Sequence, residues 1–151
     1  HQAEQTRGTQ VNVLLELINS IENTMPMILV GDFNEPSHLD WVMGSENAQS
    51  FQYNNANQFI VDWPTSNKLL NINFSDVYRE LFPDPLLFPG YTWSTVNSVQ
   101  EVHDRIDFIY YQGKDMINLK SIVIIGPDSS SDVIMDNYQS DHRSVLATFE
   151  L

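Results

Sequence analysis

A chain of 151 residues is long enough for one domain with its own core and too short for two. Its 7 basic and 20 acidic residues give a net charge of −13, which argues against non-specific binding of long nucleic acids, because such binding needs a positive surface. The absence of cysteine excludes disulfides, zinc–thiolate sites and a cysteine nucleophile. No apolar run approaches the roughly 20 residues of a membrane span, so we expect a soluble protein. Its compartment stays open, with secretion or the periplasm among the alternatives.

The first third of the chain predicts a helix, a strand and a second helix. Apolar residues recur at helical spacing through an amphipathic helix that runs from about Glu4 to about Glu22. The apolar run from Met27 to Val30 then predicts a short strand that is buried on both faces. Ser37 can cap a helix from Ser37 to Val42, with Asp40 completing a weak capping box.

The rest of the chain alternates loops, one short helix and several β-rich segments. The polar stretch from Gly44 to Asn57 predicts a loop, and a short helix is expected from Asp76 to Leu81, stopped by the prolines that follow. A surface loop is expected from Gly126 to Gln139. The segments that predict strands run from Tyr91 to Thr95, from Arg105 to Tyr111, from Ser121 to Ile125 and from Ser144 to Phe149. Interspersed helices and strands indicate an α/β or α+β protein.

The first polar cluster is Gly31-Asp32-Phe33-Asn34, directly after the first strand. Two residues apart in extended backbone, Asp32 and Asn34 are expected to point to the same side. The carboxylate can orient or deprotonate a water, and the amide can donate to a phosphoryl oxygen. The alternative is a strand-to-loop turn, in which the two side chains satisfy backbone groups.

The second cluster, Arg105 to Ile109, lies in a later strand, and the third, Ser140-Asp141-His142, directly precedes the last strand. Alternation places Arg105 and Asp107 on one strand face, where they either form a structural ion pair or face a polar cavity. Asp141 and His142 can supply a metal ligand and a general base, although such a pair is often only a surface feature. Asp107 is the natural carboxylate partner to orient His142. The remaining histidines are interpreted as structural: His1, His38 and His103.

In this order, and together with Tyr91-Thr92-Trp93, the three clusters resemble the endonuclease/exonuclease/phosphatase superfamily, which has the deoxyribonuclease-I-like fold. The resemblance runs from Arg7 to Leu151. It implies an α/β (α+β) fold, namely the C-terminal half of a four-layer α/β/β/α sandwich with a mainly antiparallel sheet. The N-terminal half would be absent from residues 1–151, and with it the family's metal-binding Glu and second catalytic His.

The resemblance also implies roles for individual residues. Asp32 matches the catalytic aspartate that handles the attacking water, and Asn34 matches the asparagine that contacts the phosphate. His142 matches the catalytic histidine, Asp107 its carboxylate partner, and Asp141 the residue that assists metal binding. Trp93 falls near aromatic positions that line the substrate cleft in some members, although a core role is an equal alternative.

The function implied is a divalent-metal-dependent phosphoester hydrolase, a phosphodiesterase or phosphatase, that acts by in-line attack of an activated water. Its cofactor would be Mg²⁺, or Ca²⁺ or Mn²⁺, with further ligands from the absent N-terminal half. Because the chain is so acidic, a phosphorylated small molecule, lipid or sugar phosphate is expected as substrate rather than duplex DNA. The alternative function is a catalytically inactive binding or structural module that keeps the fold.

Overall fold

The computed structural model describes residues 2–22, 24–46, 61–96 and 101–151, with the side chains of residues 2–4 left out. The helices are α1 (Gln2–Ser20), α2 (Pro64–Asn71) and α3 (Val77–Leu81). The strands, in chain order, are β1 (Met27–Asp32), β2 (Ser75–Asp76), β3 (Asp107–Gln112), β4 (Asn118–Gly126), β5 (Val133–Ile134) and β6 (Ser144–Glu150). None of the described helices is long and apolar enough to cross a membrane.

Two three-stranded sheets form the centre of the described structure. The first has the order β1-β3-β2 and is antiparallel throughout. The second has the order β5-β4-β6, in which only the two-residue β5 runs parallel to its neighbour. The expected mixed α/β class with a mainly antiparallel sheet is therefore confirmed.

Hydrophobic side chains form two cores, one on each face of the first sheet. The helix-side core lies between that sheet and the helices α1 and α2; its buried members are Ile18, Leu69, Phe74, Phe108 and Tyr110. The inter-sheet core lies between the two sheets and takes in α3; its buried members are Val77, Tyr78, Tyr111, Ile117, Ile122 and Ile124. Alternation along β3 explains the division, because Phe108 and Tyr110 face the helices while Tyr111 faces the second sheet.

Several expected elements differ from the structure. The segment after Ser37 forms a turn instead of a helix, because the carboxylate of Asp40 binds two arginines rather than capping a backbone. The segment from Tyr91 to Thr95 is not a strand, since Trp93 forms isolated bridges to two different partners, Asp104 and His142.

Further differences concern residues 44–71 and 126–139. Helix α2 was not predicted, although Pro64 at its first turn is a common helix start. The expected loop between Gly126 and Gln139 contains the two-residue strand β5. The polar loop predicted from Gly44 to Asn57 lies mostly outside the described residues, which end at residue 46 and resume at residue 61.

Strand β1 is less covered than its apolar sequence predicts. Ile28 and Val30 are 50% and 62% exposed, so the expectation of burial on both faces is wrong for the described part of the chain. In the antiparallel register Ile28 lies opposite Tyr111 and Val30 opposite Ile109. Both side chains therefore lie on the face that meets the second sheet, but β6, an outer strand of that sheet, does not cover them.

Candidate active site

The polar clusters meet where β1 ends, β3 begins and β6 is about to begin. Asp32, the last residue of β1, lies directly opposite Asp107, the first residue of β3. His142 precedes β6 by two residues and brings its imidazole to the same place. One potential ligand atom from each of Asp32, Asp107 and His142 lies within 4.8 Å of the others. These side chains line an open cleft of about 370 Å³.

The imidazole of His142 is held by the carboxylate of Asp107. Its Nδ1 lies 2.9 Å from Asp107 Oδ2, and both side chains are partly buried. The indole of Trp93 packs edge-on against the ring at a centroid distance of 4.8 Å. Burial alone would lower the pKa of His142, but the hydrogen bond and charge of Asp107 outweigh it, so the pKa is raised. The expected Asp107–His142 hydrogen bond is thus present, and Nε2 is the ring nitrogen left for a substrate.

Asp32 and Asn34 meet through a turn rather than through extended backbone. Asn34 has φ 49°, a left-handed conformation that asparagine tolerates better than most residues. Its backbone N–H donates to Asp32 Oδ1 at 2.7 Å and its Nδ2 donates to Oδ2 at 2.9 Å. The expectation of extended alternation is therefore wrong here, because β1 ends at Asp32. The turn fixes the carboxylate and leaves a second N–H of the Asn34 amide for another acceptor.

The ring of Phe33 anchors this turn to the core. It packs edge-to-face against Phe108 and Tyr110, at centroid distances of 5.6 and 5.5 Å. The backbone N–H of Phe33 also donates to the carbonyl of Ile106 at 2.8 Å, so the turn stays attached to the segment that enters β3. Asp32 and Asn34 consequently project from a rigid support.

Asp141 lies beside the site but outside the group of three. Its side chain is exposed, and its charge contributes to the raised pKa of His142. Its carbonyl accepts the backbone N–H of Thr95 at 2.9 Å. Among the described residues, Asp32 and Asp107 bring carboxylates to this end of the cleft, and each is already in a hydrogen bond, Asp32 with Asn34 and Asp107 with His142. Carboxylate oxygens suit Mg²⁺ and Ca²⁺, but two residues supply fewer than the six or more ligands such ions take, so the donor set fits part of a metal site.

Arg105 does not share a face with Asp107, contrary to the alternation expected from sequence. Regular pairing of β3 starts at Asp107, and the guanidinium of Arg105 lies over the ring of Phe108 at 4.5 Å. There it is fully buried and binds the carboxylates of Asp40 and Asp76. The structural ion pair, left open above for this cluster, exists with these other partners.

The other histidines lie away from the cleft or outside the described part. His38 Nδ1 lies 2.8 Å from Ser66 Oγ, and partial burial lowers its pKa despite nearby carboxylates. His103 Nδ1 lies 3.1 Å from the carbonyl of Ser94. His1 falls outside the described residues.

Two residues that support the site, Ser140 and Thr92, belong to the motifs Ser140-Asp141-His142 and Tyr91-Thr92-Trp93, but the sequence assigns neither of them a role. Ser140 Oγ accepts the backbone N–H of His142 at 3.1 Å. Thr92 is completely buried, and its Oγ1 accepts the backbone N–H groups of Ile106 and Asp107. A serine or threonine in a β-rich or loop segment carries no pattern that distinguishes such a role, so only the adjacency of Thr92 to Trp93 could have indicated it.

Comparison with known proteins gives a family for this chain. The model of the Endonuclease/Exonuclease/phosphatase family matches residues 4–142. An uncharacterized Caenorhabditis elegans protein, F14F9.5, is 31% identical over 160 residues, which cover 95% of this chain and 48% of that protein.

Two crystal structures of D. rerio TDP2 share the fold. A form humanized by 14 mutations superposes with a TM-score of 0.58 and 19% identity, covering 100% of this chain and 51% of that one. TDP2 complexed with single strand DNA product superposes with a TM-score of 0.57 and 21% identity, covering 98% and 51%. The chain therefore spans about half the length of the proteins it matches. With a family model matched over nearly its whole length, this chain belongs to the endonuclease/exonuclease/phosphatase family.

Proposed function

We propose that the protein is a divalent-metal-dependent phosphoester hydrolase that works by in-line attack of an activated water. The observation that carries this proposal is the convergence of Asp32, Asp107 and His142, which each bring one potential ligand atom within 4.8 Å of the other two. A carboxylate, a carboxamide and an imidazole with its own carboxylate partner provide the proton transfers and hydrogen bonds that phosphoester hydrolysis needs.

Each residue has a role that follows from its contacts. Asp32, fixed by both hydrogen bonds from Asn34, orients the attacking water and accepts its proton. The second N–H of the Asn34 amide donates to a phosphoryl oxygen. Because the pKa of His142 is raised, its imidazole is protonated more often near neutral pH than an isolated histidine, and it donates from Nε2 to a phosphoester oxygen. Trp93 packs against this ring and keeps it in place. We propose that its exposed part also contacts the substrate beside the cleft.

The family is typically divalent-metal dependent. We propose that Asp32, a member of the close group, and Asp141, which lies next to His142 in the chain, would hold part of the cation's coordination shell. We propose Mg²⁺, with Ca²⁺ or Mn²⁺ as alternatives, and further ligands from an N-terminal half of the same domain. When bound, the cation would supply positive charge that stabilises the phosphoryl oxygens.

The basic side chains favour a small phosphoester over duplex DNA as substrate. Three of the seven are buried in ion pairs: Arg79, Arg105 and Arg143. The other four bind neighbouring groups elsewhere: Arg7, Lys68, Lys114 and Lys120. A polyanionic duplex consequently finds little positive surface on this part of the protein. We propose a phosphorylated small molecule, lipid or sugar phosphate as substrate, although TDP2, which shares the fold, has been crystallised with a single strand DNA product.

The test is hydrolysis by the full-length gene product that contains these residues, with Mg²⁺ present. Bis(p-nitrophenyl) phosphate and p-nitrophenyl phosphate separate diesterase from monoesterase activity, and short single-stranded and duplex DNA test the substrate class. Asp32→Asn should lower kcat by about 100-fold or more, because it removes a general base. Asp115→Asn, a charge-matched change in an exposed turn at the far end of β3, should leave the rate unchanged. A full-length protein without activity on any of these substrates would favour the inactive binding module.

A further inference from the structure

Residues 92–95 lie between the segment that leads into β3 at Asp107 and the segment that carries His142 into β6, and they form hydrogen bonds with both. On one side, Trp93 and Asp104 exchange backbone hydrogen bonds of 2.8 and 2.7 Å. On the other side, the backbone N–H and the hydroxyl of Thr95 donate to the carbonyls of Asp141 and Ser140, at 2.9 and 3.0 Å. This segment therefore joins the start of β3, in the first sheet, to the start of β6, in the second.

Thr92 makes the bonds nearest to the two site residues. Its backbone carbonyl accepts the N–H of Arg143, the residue after His142, at 2.7 Å. Its Oγ1 accepts the N–H groups of Ile106 and Asp107 at 3.0 and 3.1 Å. The side chain has no exposed surface, so water does not compete for these bonds.

The N–H of Asp107 needs this hydroxyl because neither neighbouring strand supplies a partner for it. On the β1 side, the N–H of Phe33 donates to the carbonyl of Ile106 at 2.8 Å, so the facing pair Asp32 and Asp107 is a non-hydrogen-bonded pair and the N–H of Asp107 points away from β1. Strand β2 pairs with β3 only at Tyr110 and Tyr111, well beyond the start of the strand. A buried N–H without an acceptor is costly, so the acceptor at this position decides where the backbone runs. That backbone carries the Asp107 carboxylate, which must stay 2.9 Å from His142 Nδ1.

We propose that Thr92 is a positioning residue for the pair formed by His142 and Asp107. Its side-chain oxygen fixes the backbone of Asp107, and its carbonyl fixes the chain beside His142, so that one buried residue sets the distance between them. The effect on catalysis rests on the proposed function, whereas the effect on geometry does not.

The first test compares Thr92→Val with Thr92→Ser in the full-length gene product. Valine keeps the shape but removes the acceptor, and serine keeps the acceptor but removes a methyl group. Thr92→Val should lower kcat by about 100-fold, the scale expected when catalytic groups are misplaced by about 1 Å, with little change in KM. Thr92→Ser should restore most of the rate. A folded Thr92→Val protein with normal kcat, or a Thr92→Ser protein as impaired as Thr92→Val, would overturn the proposal.

A second test needs neither substrate nor a stable Thr92→Val protein. In the unaltered protein, the amide protons of Ile106 and Asp107 should exchange with deuterium as slowly as those in the middle of β3; rapid exchange of either would overturn the proposal. Where Thr92→Val folds, it should shift the NMR resonance of the His142 Nδ1 proton, and Thr92→Ser should preserve it. Failure of the proposed function would give a different result from failure of the Thr92 proposal, because phosphoesterase activity would then survive Asp32→Asn.

Discussion

His142 lies among three carboxylates whose charges act on it together. Asp107 bonds to its ring, and Asp32 and Asp141 add their charges. Burial opposes the protonated form, but these carboxylates prevail and raise the pKa above the ordinary value of 6.5. A group whose pKa is raised in the folded state stabilises the fold fully below its unfolded pKa. That stabilisation is lost as the pH rises through the folded pKa.

The pKa of His142 should therefore depend on Asp107. Asp107→Asn removes the strongest favourable contact of the imidazolium, so the pKa of His142 should fall. The Asp107→Asn protein should also lose less stability than the unaltered protein when the pH rises from about 6.5 upward. An NMR titration of the His142 ring checks the pKa, and thermal unfolding at several pH values checks the stability. Asp115→Asn serves as the charge-matched control. A pKa of His142 that is lowered in the unaltered protein, or that ignores Asp107→Asn, would contradict this assignment.

At this scale the sequence predicts charged residues at strand ends well and their supporting residues poorly. Asp32, Asp107 and His142 could be brought together because each adjoins a strand, and a sheet gathers such positions. Thr92 could not, since a buried hydroxyl that accepts backbone N–H groups has the same local sequence as an ordinary β-rich segment. Arg105 was placed on the wrong face because alternation holds only inside a strand, and β3 begins two residues later.

Among the elements, the turn after β1 is tied to α3 by buried charges. Asp40, in the turn, binds Arg79 of α3 at 2.7 Å and Arg105 at 3.0 Å. Asp76 binds Arg105 at 2.7 Å and also caps α3, accepting the N–H groups of Tyr78 and Arg79. The sequence predicted the helix that Asp76 begins, because the cap and the following prolines are local features. The helix predicted after Ser37 is absent, because Asp40 binds Arg105, which lies 65 residues away in the chain and gives no local signal.

Removing Arg105 should destabilise the protein strongly. Arg105→Met leaves two buried carboxylates without their shared cation, which costs about 3–5 kcal/mol in the free energy of unfolding. The matched control is Lys120→Met, which breaks an exposed ion pair with Glu150 and should cost about 0–1 kcal/mol. Urea denaturation of the three proteins measures the difference. Equal effects of the two substitutions would show that the buried network does not stabilise the turn.

At the scale of the whole molecule, the described strands leave an edge of the sandwich open. Strand β1 is one of the two outer strands of the first sheet and β6 one of the two of the second, and in the described part neither has a partner on its outer edge. Ile28 and Val30 lie half-exposed on the face where the second sheet would have to extend beyond β6. Asp32 ends the same row of side chains, so the open apolar face borders the candidate site. The absence of an N-terminal half, which the family resemblance implies, would leave one face of a sheet bare, whereas composition alone does not predict such a face.

We expect an N-terminal half of the same domain to cover this face with strands that continue both sheets. Expressed alone, residues 1–151 should therefore aggregate or dimerise, because exposed apolar residues beside an unpaired strand edge favour self-association. They should also show no metal-dependent phosphoesterase activity, since the described residues place too few oxygen ligands at the site to hold the cation.

Light scattering over a range of protein concentrations measures this association. Combined Ile28→Thr and Val30→Thr should reduce it, because both changes remove apolar surface from the open face. Leu87→Thr, which alters a residue 71% exposed in the loop after α3, should not. In the full-length gene product the same double substitution should instead lower stability, since there Ile28 and Val30 would be buried and each would lose packing. A monomeric, cooperatively folding and active chain of residues 1–151 would show that these strands need no further partner.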